Sequence, residues 1–128
     1  MLERRFDTME KQALMEKAYE RVKADYDTLE REWLGKDKKW LIDHAYEMTH
    51  MYEAYYHLEF ELTCQKPDDC RYNEDELNAI INFSHGNVID AIYEEWLNGN
   101  YENEYTNFFC WGHLAEIINW ALFAKESR

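Results

Sequence analysis

The chain has 128 residues, of which 46% are hydrophobic and 16% are aromatic, and its formal net charge is −13. A chain of this length buries roughly two thirds of its unfolded surface, enough for a single domain over residues 1–128, and the aromatic content excludes an intrinsically disordered protein. The negative charge lies in one part of the chain: residues 1–40 hold ten acids and ten Lys or Arg, whereas residues 41–128 hold seventeen acids and four. Such an acidic surface excludes direct binding to nucleic acid or to an anionic membrane.

The first half of the chain predicts a helical hairpin over residues 1–63. Apolar residues recur three and four positions apart over 7–34, which is typical of an amphipathic helix that ends at Gly35. A second helix is predicted from an N-cap at Asp37 to residue 63, with a wide apolar face that contacts two neighbours. With one Pro and four Gly, the sequence has too few turn residues for an all-β fold.

Residues 64–72 predict a loop, because Pro67 disfavours helix around it, and residues 73–128 form the acidic part of the domain. A capping box at Asn73 and Glu76 predicts a third helix over 74–84. Residues 85–87 break the pattern before a fourth helix over 88–97, and a mostly apolar fifth helix follows that we expect to be buried. The predicted fold is therefore all-α, with about five helices: the long hairpin, then three shorter helices that include a buried C-terminal one.

The acidic part predicts a surface that binds a basic protein groove. No Lys or Arg lies between Tyr72 and Ala124, against nine acids, and a one-sided field of this kind attracts basic surfaces. Aromatic rings next to carboxylates also favour contact with arginine. The first candidates for partner contact carry these groups: Glu94, Glu95, Tyr101, Glu102, Glu104 and Tyr105. The second set is the acidic first turn of the third helix: Glu74, Asp75 and Glu76. An alternative interpretation is that the acidity only maintains solubility.

A metal site is the alternative that the histidines raise. Glu47 and His50 have the Glu-x-x-His spacing that places both side chains on one helix face, and His44 lies one to two turns earlier. A carboxylate-bridged centre also requires a second such pair and two further Glu, which the sequence lacks in that order. We therefore expect no metal and no cofactor, and keep a metal-dependent helical-bundle enzyme that uses His44, Glu47, His50 and either Glu53 or His57 as the alternative.

No sequence motif indicates catalysis. Phosphate-binding glycine loops, the hydrolase nucleophile elbow and the Cys-x-x-Cys motif are all absent from the sequence. Cys64 and Cys70 bracket the loop and are close enough in sequence for a bridge, but a reducing cytoplasm favours free thiols. The sequence thus predicts a non-enzymatic, cytoplasmic protein.

Four tyrosines on the predicted second helix leave two interpretations open. Tyr52 and Tyr55 fit the predicted core stripe, whereas Tyr46 and Tyr56 do not. The outward rings either pack along the ends of neighbouring helices or act as contact residues, since Tyr is a common interface anchor. If the wide apolar face is an interface, the protein is a homo-oligomeric structural or regulatory protein.

Residues 40–47 (WLIDHAYE) and 88–93 (VIDAIY) resemble an uncharacterised family of small helical proteins of bacterial phages and mobile elements. Size, acidity and single-domain character are also similar, as a class, to phage inhibitors of nucleic-acid machines, including anti-CRISPR proteins. The family brings no known activity with it, whereas the similarity of class implies an inhibitor that occupies the basic groove of a nucleic-acid-binding protein or ribonucleoprotein.

Overall fold

The computed structural model describes residues 2–98 together with residues 117, 118, 121 and 122. Within these residues the secondary structure is entirely helical, with five α-helices, one short 3-10 turn and no strand. The all-α class predicted from the sequence is confirmed. The described residues contain the predicted number of five helices, but two of them divide the predicted second helix, and the predicted fifth helix lies mainly outside the described residues. None of the helices within these residues has the length and hydropathy of a membrane-spanning segment.

Helix α1 (Leu2–Leu34) is the backbone of the fold. Its 33 residues correspond to a rod of about 50 Å at 1.5 Å per residue. The predicted stripe is buried from Met15 to Leu29 and half-buried at Trp33. This stripe packs against α3 on one side and α4 on the other, so one helix holds both halves of the molecule together.

The predicted second helix is two helices. α2 (Lys38–Asp43) begins as predicted, with the Asp37 carboxylate accepting a hydrogen bond from the amide of Trp40 at 2.8 Å. It ends at His44, where the backbone turns to φ −110° and ψ 16° and the His44 ring nitrogen Nδ1 donates to the Trp40 carbonyl at 2.8 Å. α3 (Ala45–Leu62) follows at once. The prediction of one unbroken helix was wrong because a one-residue break leaves the apolar spacing unchanged.

Helix α3 packs against α1 and α5. Its buried face contains two polar residues besides apolar ones: His50, Met51, Ala54, Leu58, Glu61 and Leu62. The connection to α4 contains the 3-10 turn Pro67–Asp69, and both of its cysteines, half-buried Cys64 and buried Cys70, are free thiols. The carboxylate of Glu61 accepts a hydrogen bond from the amide of Arg71, which fixes the end of this connection on α3.

Helices α4 (Glu74–Asn82) and α5 (Val88–Asn98) carry the acidic sequence. Both start within one residue of their predicted positions. Gly86 lies in the turn between them with φ +120°, a conformation that favours glycine. The buried faces of α4 and α5 complete the core together with Ile117, Ile118, Ala121 and Leu122. The predicted burial of the whole C-terminal helix concerns mainly residues outside the described ones and stays a prediction.

Two side chains of α1 fix the turn between α4 and α5. The Arg21 guanidinium donates to the carbonyls of Ile81, Phe83 and Gly86 at 3.2, 2.9 and 2.9 Å, and its Nε donates to Asp25 at 3.0 Å. The same Asp25 oxygen accepts from the amide of Val88 at 2.7 Å. The Arg21 cation therefore contacts carbonyls at and just after the C-terminus of α4, and the Asp25 anion contacts the N-terminus of α5. Both arrangements are the ones that the helix dipoles favour.

Candidate protein-binding surfaces

The three predicted contact acids of α4 have two different roles. Glu74 and Asp75 are exposed in its first turn. Glu76 is only 6% exposed, and its carboxylate accepts from the amide of Asn73 at 2.9 Å, while the Asn73 side chain accepts from the amide of Glu76 at 2.8 Å. The predicted capping box is thus confirmed. Because Glu76 is used to cap the helix, we leave it out of the contact surface.

On α5 the acids lie opposite or beside a fully apolar face. Ile89, Ile92 and Trp96 are buried, whereas Glu94 is exposed and Glu95 is half-buried. The four other first candidates, Tyr101, Glu102, Glu104 and Tyr105, lie outside the described residues. The structure therefore places Glu94 and Glu95 on α5, with Glu74 and Asp75 on α4, as the described members of the acidic surface.

The sequence of this surface carries fixed charge of one sign. Residues 72–98 contain six acids and no Lys or Arg. Arg21 is the α1 cation whose guanidinium contacts this region, and it is already bound to Asp25 and to three carbonyls. Its guanidinium thus contacts Asp25 and the carbonyls at and after the end of α4.

An aromatic ridge runs along the outer side of α3. It consists of Tyr52, Tyr56 and Phe60, which are 51%, 50% and 59% exposed. Their spacing of four residues places them on one face of the helix, and the rings of Tyr52 and Tyr56 lie 6.5 Å apart. The expectation that Tyr52 belongs to the core was wrong. The exposure of Phe60 was not predicted from the sequence, although its position four residues after Tyr56 places it on the same helix face.

One buried tyrosine, Tyr26, and two half-buried ones, Tyr19 and Tyr55, fix α3 on α1 beside this ridge. Tyr55 stacks on Tyr26 with ring centroids 4.3 Å apart, and its hydroxyl donates to Glu59 at 2.7 Å. Tyr19 of α1 donates to the same carboxylate oxygen at 3.2 Å. Burial raises the pKa of Tyr26 to about 12, with the nearby Glu30 adding to the shift. Burial and the bond to Glu59 also raise the pKa of Tyr55. These contacts hold the ridge in a fixed orientation.

A surface cleft of about 510 Å³ lies where the end of α3 meets α1. The buried side chains of Met15 and Leu62 contribute apolar surface, and the carboxylates of Glu16 and Glu20 belong to the lining. The other lining residues are polar or polarisable and include no Lys or Arg: Gln12, Tyr19, Thr63, Cys64 and Gln65. Burial is the main cause that raises the pKa of the Cys64 thiol, followed by the charge of Glu61. The sequence does not predict this cleft, because the cleft forms only where residues 12–20 pack beside residues 62–65.

The residues of the metal alternative have other contacts. His44 stacks on Trp40, with ring centroids 3.9 Å apart, and bonds the Trp40 carbonyl. His50 is 4% exposed, lies against Trp96 with centroids 4.6 Å apart, and its Nδ1 is 3.3 Å from Glu53. Glu47 is half-buried. Over the part of the chain that the structure describes, no group of three or more His, Cys, Asp or Glu is arranged to hold a metal ion.

No protein-family model, curated protein or solved structure matches this chain. The resemblance to small phage proteins therefore stays a prediction. The function of the protein is therefore inferred from its own surfaces.

Proposed function

We propose that the protein is a non-enzymatic binding module that presents the acidic surface of α4 and α5 to a basic groove of a partner protein. The observation that carries this proposal is the set of exposed acids Glu74, Asp75 and Glu94 within a stretch, residues 72–98, that has no Lys or Arg. An exposed field of one sign steers a partner of the opposite sign and raises the association rate.

A groove that normally holds nucleic acid is the partner surface that fits best. Such grooves concentrate Lys and Arg along a line, and their affinity for phosphates depends on the release of counterions. Carboxylates on α4 and α5, two successive helices whose connecting turn is held by Arg21 and Asp25, offer the same sign of charge. In its most concrete form, the proposal is an inhibitor of a nucleic-acid-binding protein or ribonucleoprotein, similar in type to anti-CRISPR proteins.

The test uses two variants with equal charge. The first, Glu74→Gln/Asp75→Asn/Glu94→Gln, changes the acidic surface, and the second, Glu10→Gln/Glu30→Gln/Glu32→Gln, changes exposed acids of α1; each shifts the net charge from −13 to −10 (−13 plus 3). Wild type and both variants serve as baits in extracts of the host cell, and captured proteins are identified by mass spectrometry. Association rates are then measured with the purified partner at several salt concentrations.

The proposal requires that the first variant associate more slowly and with a weaker salt dependence, while the second behaves like wild type. Short nucleic acid should compete with the protein for the partner, and added salt should weaken both. Equal rates for the two variants would mean that only the total charge matters, and the acidic surface would then be a solubility device.

A further inference from the structure

The aromatic ridge of α3 is a second surface whose composition differs from that of the acidic helices. Tyr52, Tyr56 and Phe60 are each half exposed or more on one face of α3, and the Tyr52 ring also contacts Tyr26 of α1, with ring centroids 6.2 Å apart. Three large rings in one row are a strong concentration of apolar surface, and such patches on a soluble protein mark interaction sites. Tyr and Phe are also enriched at interfaces, and Tyr is among the residues that dominate binding energy there.

The geometry of the ridge suits a helix. The nine residues from Tyr52 to Phe60 are separated by eight steps along the helix, which span about 12 Å, slightly more than two turns. Rings in a row four residues apart form a ridge of the kind that packs into the groove between side chains of a second helix. The anchoring of α3 on α1 through Tyr55, Tyr26 and Glu59 means that the ridge is already rigid before binding, which reduces the entropy lost on association.

The charges around the ridge define the chemistry of the partner. Residues 41–65 contain five acids and no Lys or Arg. Glu53 lies within the same helix surface, next to Tyr52 and one turn from Tyr56, and is half-buried. The chain that follows Phe60 leads directly into the cleft, where Glu16 and Glu20 add two more carboxylates. Glu53 also contacts Nδ1 of His50 at 3.3 Å, and neither residues 41–65 nor the lining of the cleft includes a Lys or Arg.

We propose that the aromatic ridge binds an amphipathic helix of a partner protein that carries arginine beside its apolar face. Its apolar residues would pack between the three rings. The guanidinium groups would stack on the tyrosine faces and pair with the flanking carboxylates, because arginine combines cation–π contact with bidentate hydrogen bonding.

A second copy of this chain is a poorer occupant. An antiparallel pair of α3 helices centred on Tyr56 would place Glu53 of one copy opposite Glu59 of the other, at the same distance in sequence on either side of Tyr56. Like charges that face each other destabilise an interface. An anionic membrane is disfavoured by the same carboxylates.

The proposal is independent of the function proposed for α4 and α5, because it concerns different residues on a different helix. The probe is a fluorescently labelled helical peptide of leucine and arginine, with leucine on one face, compared with the same design in lysine and in glutamate. The ridge variant is Tyr52→Ala/Tyr56→Ala/Phe60→Ala, and the acidic-surface variant Glu74→Gln/Asp75→Asn/Glu94→Gln is the matched control. Circular dichroism and thermal unfolding verify that the variants remain folded, as expected for substitutions of exposed residues.

We expect the arginine peptide to bind more tightly than the lysine peptide and the glutamate peptide not to bind. The ridge variant should lose about tenfold or more in affinity, since truncation of interface aromatics commonly costs over 1 kcal/mol each. The acidic-surface variant should lose less. Three results would overturn the proposal: equal affinity of wild type and ridge variant, tight binding of the glutamate peptide, or a wild-type dimer in light scattering that the ridge variant converts to a monomer. The last result would assign the ridge to a second copy of the chain.

As a site-specific check, Phe60→Trp gives a fluorescence reporter in the ridge. Its emission should shift to shorter wavelength when the arginine peptide is added, because the exposed ring becomes buried. No shift at a peptide concentration that saturates binding would place the peptide elsewhere on the molecule and contradict the proposal.

Discussion

The stacked pair of Tyr26 and Tyr55 shows how single residues tie the helices together. Tyr26 belongs to α1 and Tyr55 to α3, and their rings are nearly parallel, with an angle of 10° between the planes. Both rings belong to the α1–α3 interface, which is why a charged phenolate is unfavourable there and the pKa of Tyr26 rises to about 12. The free energy of unfolding should therefore fall at alkaline pH, where these hydroxyl groups lose their protons.

The first prediction concerns Tyr26→Phe and alkaline pH. The unfolded chain releases the Tyr26 proton near its ordinary pKa of 10, whereas the folded chain keeps it up to about 12. The stability that this group contributes is thus fully present below pH 10 and is lost as the pH rises toward 12. Tyr26→Phe should unfold at a similar denaturant concentration to wild type at pH 8 and retain more of that stability at pH 11.5. Tyr56→Phe, at an exposed position, is the control, and it should lose as much stability at pH 11.5 as wild type does.

The second prediction isolates the hydrogen bond from Tyr55 to Glu59. Tyr55→Phe keeps the ring on Tyr26 but removes the 2.7 Å bond, so we expect a loss of about 1.5–3 kcal/mol in the free energy of unfolding, as is usual for a bond to a charged group. Tyr19→Phe removes the longer 3.2 Å bond to the same oxygen and should cost less. Chemical denaturation of the two single variants measures both. Wild-type stability in Tyr55→Phe would contradict this account of the anchor.

At the scale of elements, the turn between α4 and α5 depends on Arg21 and Asp25. Arg21→Met should destabilise the protein by about 2–3 kcal/mol, because three carbonyls and Asp25 lose a charged donor. Asp25→Ala should cost about 1–2 kcal/mol, since the amide of Val88 loses its acceptor. The two losses should not add, with a coupling of about 1 kcal/mol in a double-mutant cycle.

The control for this prediction lies on the same helix. Lys23 and Asp27 form a pair with the same spacing, but at 3.4 Å and with about half of each side chain exposed. Lys23→Met should change the free energy of unfolding by no more than about 0.5 kcal/mol, because exposed ion pairs contribute little. Equal losses for Lys23→Met and Arg21→Met would show that the contacts of Arg21 with the turn are unimportant.

The sequence predicted the positions of the helices better than the faces they bury. Apolar spacing and caps located α1, α4 and α5 to within a few residues, because these signals are local. The prediction of which face of α3 is buried was wrong at Tyr52, because hydrogen bonds and ring contacts allow polar residues of this helix to be buried instead. His50 packs against Trp96, and Glu61 accepts from the amide of Arg71. Their burial turns Tyr52 outward, which hydrophobic periodicity alone does not reveal.

The candidate surfaces also differ in how far the sequence predicts them. Exposed acids on α4 and α5 could be predicted from composition, since charge is a property of the sequence. The capping role of Glu76 was also predicted, yet its consequence, that this acid is unavailable for a partner, became clear only from its burial. The cleft beside Thr63 depends on contacts between residues about fifty positions apart, which no local pattern encodes.

At the scale of the whole molecule, the uneven distribution of charge affects stability as well as binding. Residues 1–40 contain equal numbers of acids and basic residues, whereas residues 72–124 contain nine acids and no Lys or Arg. Repulsion among like charges therefore acts mainly in the second region. Removing acids there should relieve repulsion, but removing acids from α1 should leave an excess of positive charge on that helix.

The last prediction compares two variants that both change the net charge from −13 to −9 (−13 plus 4). Glu94→Gln/Glu95→Gln/Glu102→Gln/Glu104→Gln should unfold at a temperature equal to or slightly above that of wild type, whereas Glu10→Gln/Glu20→Gln/Glu30→Gln/Glu32→Gln should unfold at a lower one. We expect the two to differ most at low ionic strength, where the Debye length is about 30 Å at 0.01 M salt, and to converge near 1 M, where it is about 3 Å. Thermal unfolding followed by circular dichroism at both salt concentrations measures this. A difference that persists unchanged at high salt would show that local contacts of these side chains, rather than long-range repulsion, determine the effect.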